Sequence, residues 1–459
     1  MSSLTTTLRT ATRLAHLPRL TLRQTPSRRT MYTPRQLTVN GERMMESLHD
    51  TCKWGTGTRW GPGPNDTGMC RLTLTDSDKS VRDWFKAEME GLGCKVSIDA
   101  MGNMFAVRPG QSAGAPTAMG SHLDTQPTGG RYDGILGVHA AVEAMRVVVE
   151  NGVQTKYPLA VINWTNEEGA RFPKSLHGSS VWAGTLPLDK ALALTDVADP
   201  TLIAGEELAR IGYAGEMECS AKANPLAAHF ELHIEQGPVL PENKQRIGVV
   251  AGGQGYKWYT ITIRGRDSHA GTTPFAYRAD PMLLAAFFLT RAHEIARTHS
   301  GLVTTGIFHA HPGSINTIPN NVSFSLDFRH VSDAGVAAID KDIKAMAKEL
   351  ETQGDKYKCA IEFEPLFDAP AVQFHPACRD AIRTAAEGSL AAAEVRDIIS
   401  GAGHDSCATN LHCPTGMIFI PCKDGLSHNP EEYSTPEDCV LGAQVLLDAA
   451  LLFDQGRKA

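Results

Sequence analysis

Histidines and acidic residues stand at the ends of several short apolar segments of this 459-residue chain. Because the ends of parallel strands meet at one edge of an open α/β sheet, we expect these side chains to converge there. Imidazole and carboxylate ligands without thiolates suit zinc, with manganese, cobalt or nickel as alternatives. Together they resemble the ligands of a carboxylate-bridged pair of ions. The residues are His122, Asp124, Asp133, Glu167, Glu168, His233 and His428.

The spacing of His122 and Asp124 suggests a specific contact between them. They are two residues apart on one predicted strand, so their side chains point to the same face. We therefore expect Asp124 to hold or support the His122 imidazole. Taken singly, each of these residues is more commonly an ordinary core or surface residue, so the metal hypothesis depends on their combination.

The segments that carry these residues alternate between strand and helix patterns. This alternation predicts an α/β sheet covered by helices, and the continuous apolar character of two strands, 160–164 and 414–420, predicts that they are central. The predicted strands are 104–107, 117–121, 159–164, 229–234 and 414–420, and the predicted helices are 79–91 and 137–150.

The middle of the chain has a different pattern. Residues 257–264 and 321–329 alternate with a period of two, and helical patterns cover 281–297 and 332–352. This predicts a half-exposed sheet with helices on one face. We predict the following domains: an N-terminal tail at 1–36, a catalytic domain built from 37–246 and 365–459, and an inserted domain at 247–364.

Composition excludes several classes of protein. The chain has a net charge of −7 and no apolar run that approaches the roughly 18 residues of a membrane helix, so we expect neither nucleic-acid nor membrane partners. Ten cysteines without a Cys-x-x-Cys pair are expected to be reduced and mostly buried. A Gly-x-Ser-x-Gly match at 110–114 is followed by Ala115-Pro116 and another strand instead of a helix, so we interpret it as a loop.

The first 41 residues hold seven arginines and no acidic residue. Leu4, Leu8 and Ala11 share one helical face, while Arg9 lies off it. Such an amphipathic, Arg-rich start is typical of a mitochondrial presequence. The alternative is a cytoplasmic protein with a tail before a second start at Met31.

Seven motifs occur in an order that identifies a family. From about residue 37 to 455 the chain resembles the N-carbamoyl-amino-acid amidohydrolases, the hydantoinase/carbamoylase family of di-zinc amidohydrolases and peptidases. His233, where peptidases usually place an acid, and the short His122–Asp133 spacing separate it from the peptidase branch. Its pattern is most similar to the β-ureidopropionase branch, which acts on N-carbamoyl-β-alanine in pyrimidine breakdown. The motifs lie at 120–125, 129–134, 166–172, 233–238, 267–271, 401–405 and 426–430.

The resemblance implies an α/β catalytic domain of the di-zinc aminopeptidase and carboxypeptidase type, with an inserted α+β sandwich that serves as lid and dimerisation domain. It implies two divalent ions per subunit, bridged by Asp133, with His122 and His233 at one ion and Glu168 and His428 at the other. Glu167 would be the general base.

For substrate binding, the resemblance implies a homodimer in which His269 of one subunit stabilises the oxyanion in the site of the other. Arg329 would bind the substrate carboxylate. Without the family, we would interpret Arg329 as a surface residue paired with Asp327. The remaining implied substrate contacts are Gln236, Asn316, Gly403 and His404.

Rival functions share parts of this pattern. An allantoate or ureidoglycolate amidohydrolase would use the same metals with a different pocket. A di-zinc dipeptidase or aminoacylase is a more distant alternative, and a dimeric binding protein that retains the fold is the non-enzyme alternative.

Overall fold

The computed structural model describes residue 1, residues 37–352 and residues 358–458. The predicted mitochondrial presequence lies almost entirely outside the described residues. The strands are β1 (Thr56–Arg59), β2 (Thr67–Met69), β3 (Lys95–Ile98), β4 (Met104–Arg108), β5 (Thr117–His122), β6 (Leu159–Trp164), β7 (Ala228–Ile234), β8 (Ile247–Gly253), β9 (Gly255–Arg264), β10 (Ser268–His269), β11 (Leu302–Thr304), β12 (Phe308–His311), β13 (Thr317–Ile318), β14 (Asn321–His330), β15 (Ala360–Ala369), β16 (Val372–Gln373), β17 (Val395–Ser400) and β18 (Thr415–Ile420). The helices are α1 (Gly41–Thr51), α2 (Asp76–Gly91), α3 (Ile135–Glu150), α4 (His177–Trp182), α5 (Leu188–Leu192), α6 (Ala204–Arg210), α7 (Val239–Glu242), α8 (Pro281–Thr298), α9 (Asp333–Thr352), α10 (Pro376–Glu387), α11 (Asp405–Thr409) and α12 (Pro436–Gly456).

The large sheet has the order β16–β8–β18–β7–β5–β6–β4–β3, with β17 beside β8, counted over the described residues. Its central strands β18, β7, β5 and β6 run parallel to one another. Each of the four is buried along its whole length, which explains the nearly continuous apolar character of β6 and β18. Helices α3 and α12 contribute to the core on this sheet, and the predicted α/β fold class is confirmed.

The smaller sheet is antiparallel, with β12 beside β14 and the order β11–β14–β9–β15. Alternate residues of β9 and β14, such as Ile261 and Phe324, face α8 and α9 and form a separate core. The period-two pattern in the sequence follows from this arrangement, since only one face of each strand is buried.

The boundaries of the insertion differ from the predicted ones. Strand β8 pairs with β17 and β18 in the large sheet, and the chain enters the small sheet only after Gln254. At the other end β15 pairs with β9 as far as Ala369. The small sheet and its helices therefore span 255–369. The preceding strand β8 is not part of them, because it belongs to the large sheet. Strand pairing at this edge requires glycine at position 252, since a Cβ there would lie 1.9 Å from the Val372 carbonyl oxygen.

Helix α12 corrects one expectation. It is long and apolar enough, by length and composition, to cross a membrane, although no apolar run of the sequence predicts such a segment. Most of its apolar side chains are buried in the core on the large sheet. It also buries Asp454, whose carboxylate accepts hydrogen bonds from the backbone of Lys156 and Tyr157. These are the features of a core helix.

Candidate metal centre

Five side chains predicted as metal ligands meet at the carboxyl ends of the central strands. His122 is the last residue of β5, and His233 is one residue from the end of β7. Asp133 precedes α3, where Gly134 has a φ of 66° and allows the backbone to approach the His122 ring. A Cβ at Gly134 would lie 2.3 Å from that ring, so the turn requires glycine. Glu168 follows β6, and His428 follows β18.

The first ligand group consists of His122, Asp133 and His233. Asp133 Oδ1 lies 3.6 Å from His122 Nε2 and 3.0 Å from His233 Nε2. Both Nε2 atoms are buried without a hydrogen-bond partner among the described residues. Two ligands of one tetrahedral zinc ion lie about 3.3 to 3.4 Å apart for bonds of about 2.0 to 2.1 Å. The group therefore fits a metal ion, which would give the unpaired nitrogens a partner.

Backbone contacts fix the orientation of both rings. His122 Nδ1 lies 2.9 Å from the Asp124 carbonyl oxygen, and His233 Nδ1 lies 2.8 Å from the Ile234 carbonyl oxygen. A carbonyl accepts only from a protonated Nδ1, so in the neutral ring the lone pair is on Nε2. This is the tautomer that binds metal through Nε2.

The second ligand group consists of Asp133, Glu168 and His428. His428 Nε2 lies 3.5 Å from Asp133 Oδ2 and 3.4 Å from Glu168 Oε2. Asp133 thus directs one oxygen to each group, which is the geometry of a bridging carboxylate. The His428 side chain is 52% exposed, so this group borders the solvent.

The electrostatics of the second group favour a cation. Contact with the Asp133 carboxylate raises the pKa of His428 to about 9, against the effect of burial. Burial, reinforced by Asp133, raises the pKa of Glu168 to about 7. Without metal, this group therefore holds protons close to neutral pH. Because metal ions compete with protons for the same ligand atoms, we expect ion binding here to release protons.

A third group, Glu231, His233 and His404, is also buried and shares His233 with the first. Ser121 Oγ and Ser406 Oγ donate hydrogen bonds of 2.7 and 2.6 Å to Glu231. With its carboxylate engaged in this way, Glu231 is a buried anion that supports the two neighbouring imidazoles. We assign no ion to this group.

Glu167 is placed differently from Glu168. Its Oε2 lies 3.5 Å from His122 Nε2, and it borders the cavity in front of the metal groups. Burial raises the pKa of Glu167 well above its ordinary value; His122 opposes this, while Asp405 and Glu168 reinforce it. A raised pKa is what a general base working near neutral pH requires.

Asp124 has a different contact from the predicted one. Its carboxylate lies 3.8 Å from His122 Nδ1, and the backbone carbonyl of the same residue contacts that nitrogen instead. The carboxylate accepts hydrogen bonds from the backbone N–H groups of Glu167 and Glu168, both at 3.3 Å. The chain after β6 turns back through Asn166, whose φ is 53°, and this turn brings both N–H groups to Asp124.

A cavity of about 210 Å³ lies in front of the metal groups. Arg329, Gln236, Gly403 and His404, four of the predicted substrate contacts, line it. The amide of Gln236 donates to Asp133 Oδ2 at 2.8 Å, so in this structure it orients the Asp133 carboxylate.

Arg329 shows both features that the sequence left open. Its guanidinium is paired with Asp327 at 2.8 Å and also borders the cavity. It lies over the Tyr256 ring at 5.0 Å and donates to the Gly401 carbonyl oxygen at 2.9 Å. The guanidinium is therefore held rigidly in the cavity wall.

His269 and Asn316 lie outside the cavity of their own chain. They belong to one ribbon, in which β10 pairs with β13 and Ala270 N donates to the Asn316 carbonyl oxygen at 2.9 Å. Both side chains are exposed. His269 Nδ1 accepts a hydrogen bond from Gly271 N at 3.0 Å, so its own loop engages this ring nitrogen.

Sequence reasoning missed Glu432. Its Oε1 accepts hydrogen bonds from the backbone of Tyr132 and Asp133, both at 3.0 Å, and its Oε2 accepts from Ser427 Oγ. It therefore holds the loop of Asp133 against the loop of His428. No local signal separates it from its neighbour Glu431, because the contact spans 299 residues.

Comparison with known proteins identifies the family. Residues 118–452 match the model of peptidase family M20/M25/M40. The chain is 39% identical to an N-carbamoyl-L-amino-acid amidohydrolase of Rhizobium meliloti, over 90% of this chain and 96% of the relative. It is 35% identical to a ureidoglycolate hydrolase of Arabidopsis thaliana, over 84% and 81%. An amidase of the hydantoinase/carbamoylase family from Burkholderia multivorans superposes with a TM-score of 0.81 at 42% identity, over 91% and 98%.

The chain therefore belongs to peptidase family M20/M25/M40 and, within it, to the hydantoinase/carbamoylase amidases. This confirms the resemblance found in the motifs. The protein is a hydrolase that acts on C–N bonds.

Proposed function

We propose that this protein hydrolyses the ureido C–N bond of N-carbamoyl amino acids, giving the amino acid, carbon dioxide and ammonia. One observation carries the proposal. Metal-ligand groups that share Asp133 and the fixed guanidinium of Arg329 border the same cavity. A substrate with a ureido group at the metal-ligand groups and a carboxylate at Arg329 is an N-carbamoyl amino acid. The similarity to N-carbamoyl-L-amino-acid amidohydrolases supports the same substrate class.

The residues divide the chemistry between them. We propose two divalent ions, zinc or else manganese, cobalt or nickel, held by the two ligand groups around Asp133. When bound, such ions lower the pKa of water and polarise a carbonyl group. Glu167 accepts the proton of the attacking water and delivers it to the leaving nitrogen. Arg329 orients the substrate through its carboxylate.

We propose that the active enzyme is a homodimer. His269 and Asn316 are exposed and outside the cavity of their own chain, and the insertion carries large exposed apolar side chains, among them Leu283, Ile307 and Ile315. Clusters of such residues mark interaction surfaces. In the dimer, the insertion of one subunit would place His269 where it donates to the oxyanion in the other.

Mixing two inactive variants tests the dimer. We expect His269→Ala and Glu167→Gln to be inactive alone and to regain activity when co-expressed, because a hybrid dimer contains one site with both residues intact. Random assembly makes about half of the dimers hybrid, so about a quarter of all sites are restored. Differently tagged chains allow the hybrids to be purified and assayed. Inactive hybrids with normal metal content would show that His269 acts within its own chain or not at all.

Ammonia release from a substrate panel tests the proposed function. We expect the highest kcat/KM for a carbamoyl amino acid, either carbamoyl-β-alanine, which the motif pattern favours, or a carbamoyl-L-α-amino acid. Faster hydrolysis of allantoate or ureidoglycolate would establish the second candidate, which the similarity to a ureidoglycolate hydrolase favours. No ammonia from any member of the panel, with metal bound, would refute both.

A further inference from the structure

A row of cations and aromatic rings begins at Arg329 in the wall of the cavity. The Arg329 guanidinium lies over the Tyr256 ring, 5.0 Å from its centroid. Tyr256 stacks on Phe367, with ring centroids 5.6 Å apart and planes inclined by 29°. The Lys174 ammonium lies over the Phe367 ring at 4.6 Å. Two cations thus contact a pair of stacked rings, one cation on each ring, and we call these four side chains the cation–aromatic stack.

The cation–aromatic stack connects two parts of the molecule. Its two rings and Arg329 lie on β9, β14 and β15 of the insertion, whereas Lys174 lies in the loop after β6. The same loop carries Glu167. It closes on itself around Lys174, because Leu176 N donates a hydrogen bond of 2.7 Å to the Glu167 carbonyl oxygen. The position of Lys174 is therefore coupled to the position of Glu167.

Lys174 has no carboxylate beside it to balance its charge. Within the described part of the chain, no hydrogen bond or ion pair engages its ammonium group, and the side chain is half-buried. Burial lowers the pKa of Lys174, and no neighbouring charge opposes this effect. The negative face of the Phe367 ring is thus the contact that stabilises the ammonium, and such a contact is stronger where water is partly excluded.

We propose that Lys174 is a positioning residue for substrate binding, which holds the Arg329 guanidinium in register with the loop of Glu167 through the cation–aromatic stack. The proposal rests on the function proposed above, in which Arg329 binds the substrate carboxylate. The ion pair with Asp327 fixes the guanidinium only within the insertion, since both residues lie on β14. The cation–aromatic stack fixes it relative to the loop that acts on the ureido group.

A substrate bound at both ends depends on this register. Its carboxylate lies at Arg329, and its ureido group lies beside Glu167, so the separation of the two protein groups must match the length of the substrate. Loss of the stack would leave Glu167 and the metal-ligand groups unchanged but hold the carboxylate partner less firmly. The consequence is weaker substrate binding with little change in the chemical step.

Steady-state kinetics of the metal-loaded, full-length enzyme with its best carbamoyl substrate test the proposal. Lys174→Met keeps a long side chain but removes the charge. We expect KM to rise by about 3- to 30-fold, the range that one cation–π contact provides, while kcat, metal content and unfolding temperature change little. Lys174→Arg should keep the wild-type KM, because a guanidinium also lies favourably over an aromatic ring.

A second site separates the stack from a direct effect of the charge. Phe367→Leu removes the ring of a half-buried residue and leaves the ammonium in place. We expect the same rise in KM, and no further rise when it is combined with Lys174→Met, because the two residues act through one contact. Lys53→Met is the matched control, since its ammonium lies over Trp54 at 4.7 Å, outside the cavity, and its KM should be that of the wild type.

Several results would overturn the proposal. One is an unchanged KM in Lys174→Met, and another is an equal rise in Lys174→Arg. A rise that Phe367→Leu does not reproduce would mean that the Lys174 charge attracts the substrate directly. A loss of kcat at constant KM would mean that Lys174 acts on the chemical step. These results leave the proposed function intact, whereas no turnover of any carbamoyl amino acid by the wild type, with metal bound, would refute that function instead.

Discussion

Dialysis against a chelator is expected to abolish ammonia release from carbamoyl amino acids, and added Zn²⁺ or Mn²⁺ is expected to restore it. In the described part of the chain, His122 Nε2 and His233 Nε2 are buried without a hydrogen-bond partner, and an ion beside Asp133 would supply one. The activity assay should be combined with metal analysis, which we expect to show about two ions per chain. Full activity in chelator, or protein without bound ions, would contradict the assignment.

The loss of bound metal can also be measured through the stability of the folded protein. An ion that binds only the folded protein stabilises it by about 4 kcal/mol when its concentration is about 1,000 times its Kd. The unfolding temperature should therefore fall after chelation and recover with metal. His428→Ala should lose the ion of the second ligand group. The matched control, His412→Ala, removes an imidazole that contacts the Ala183 carbonyl oxygen, and it should retain both ions.

Replacing Glu167 with glutamine is expected to lower kcat by about 10²- to 10⁴-fold, the usual contribution of a general acid–base group. Glutamine has nearly the same shape but cannot accept the proton of the attacking water. Since Glu167 faces the cavity and is not needed in either proposed ligand group, metal content and unfolding temperature should change little. Steady-state kinetics and metal analysis on the same preparation measure both effects.

The neighbouring variant separates the two glutamates. Glu168→Gln replaces a charged ligand beside His428 with a neutral amide, so we expect it to lose metal from the second ligand group. Glu431→Gln, at an exposed glutamate near the same loop, is the control and should retain both metal and activity. Equal loss of metal in Glu167→Gln and Glu168→Gln would show that the proposed division of roles is wrong.

Much of the site could be predicted because its information is local. His122 ends one predicted strand and His233 lies next to the end of another, and parallel strands place their carboxyl ends at one edge. Period-two and helical patterns likewise predicted the elements of the insertion, since burial of one face imposes them. Residue types then favoured metal ions, because imidazoles and carboxylates gathered at one edge need a cation.

Local sequence patterns are therefore sufficient to predict the class of elements, the family and the types of ligand. The tertiary structure decided which atom contacts which. Asp124 binds the backbone of Glu167, a contact over 43 residues, and Glu432 binds the backbone of Asp133 over 299 residues. Local periodicity reports the face that a residue presents, whereas these contacts depend on turns and on the packing of distant segments, which leave no periodic signal.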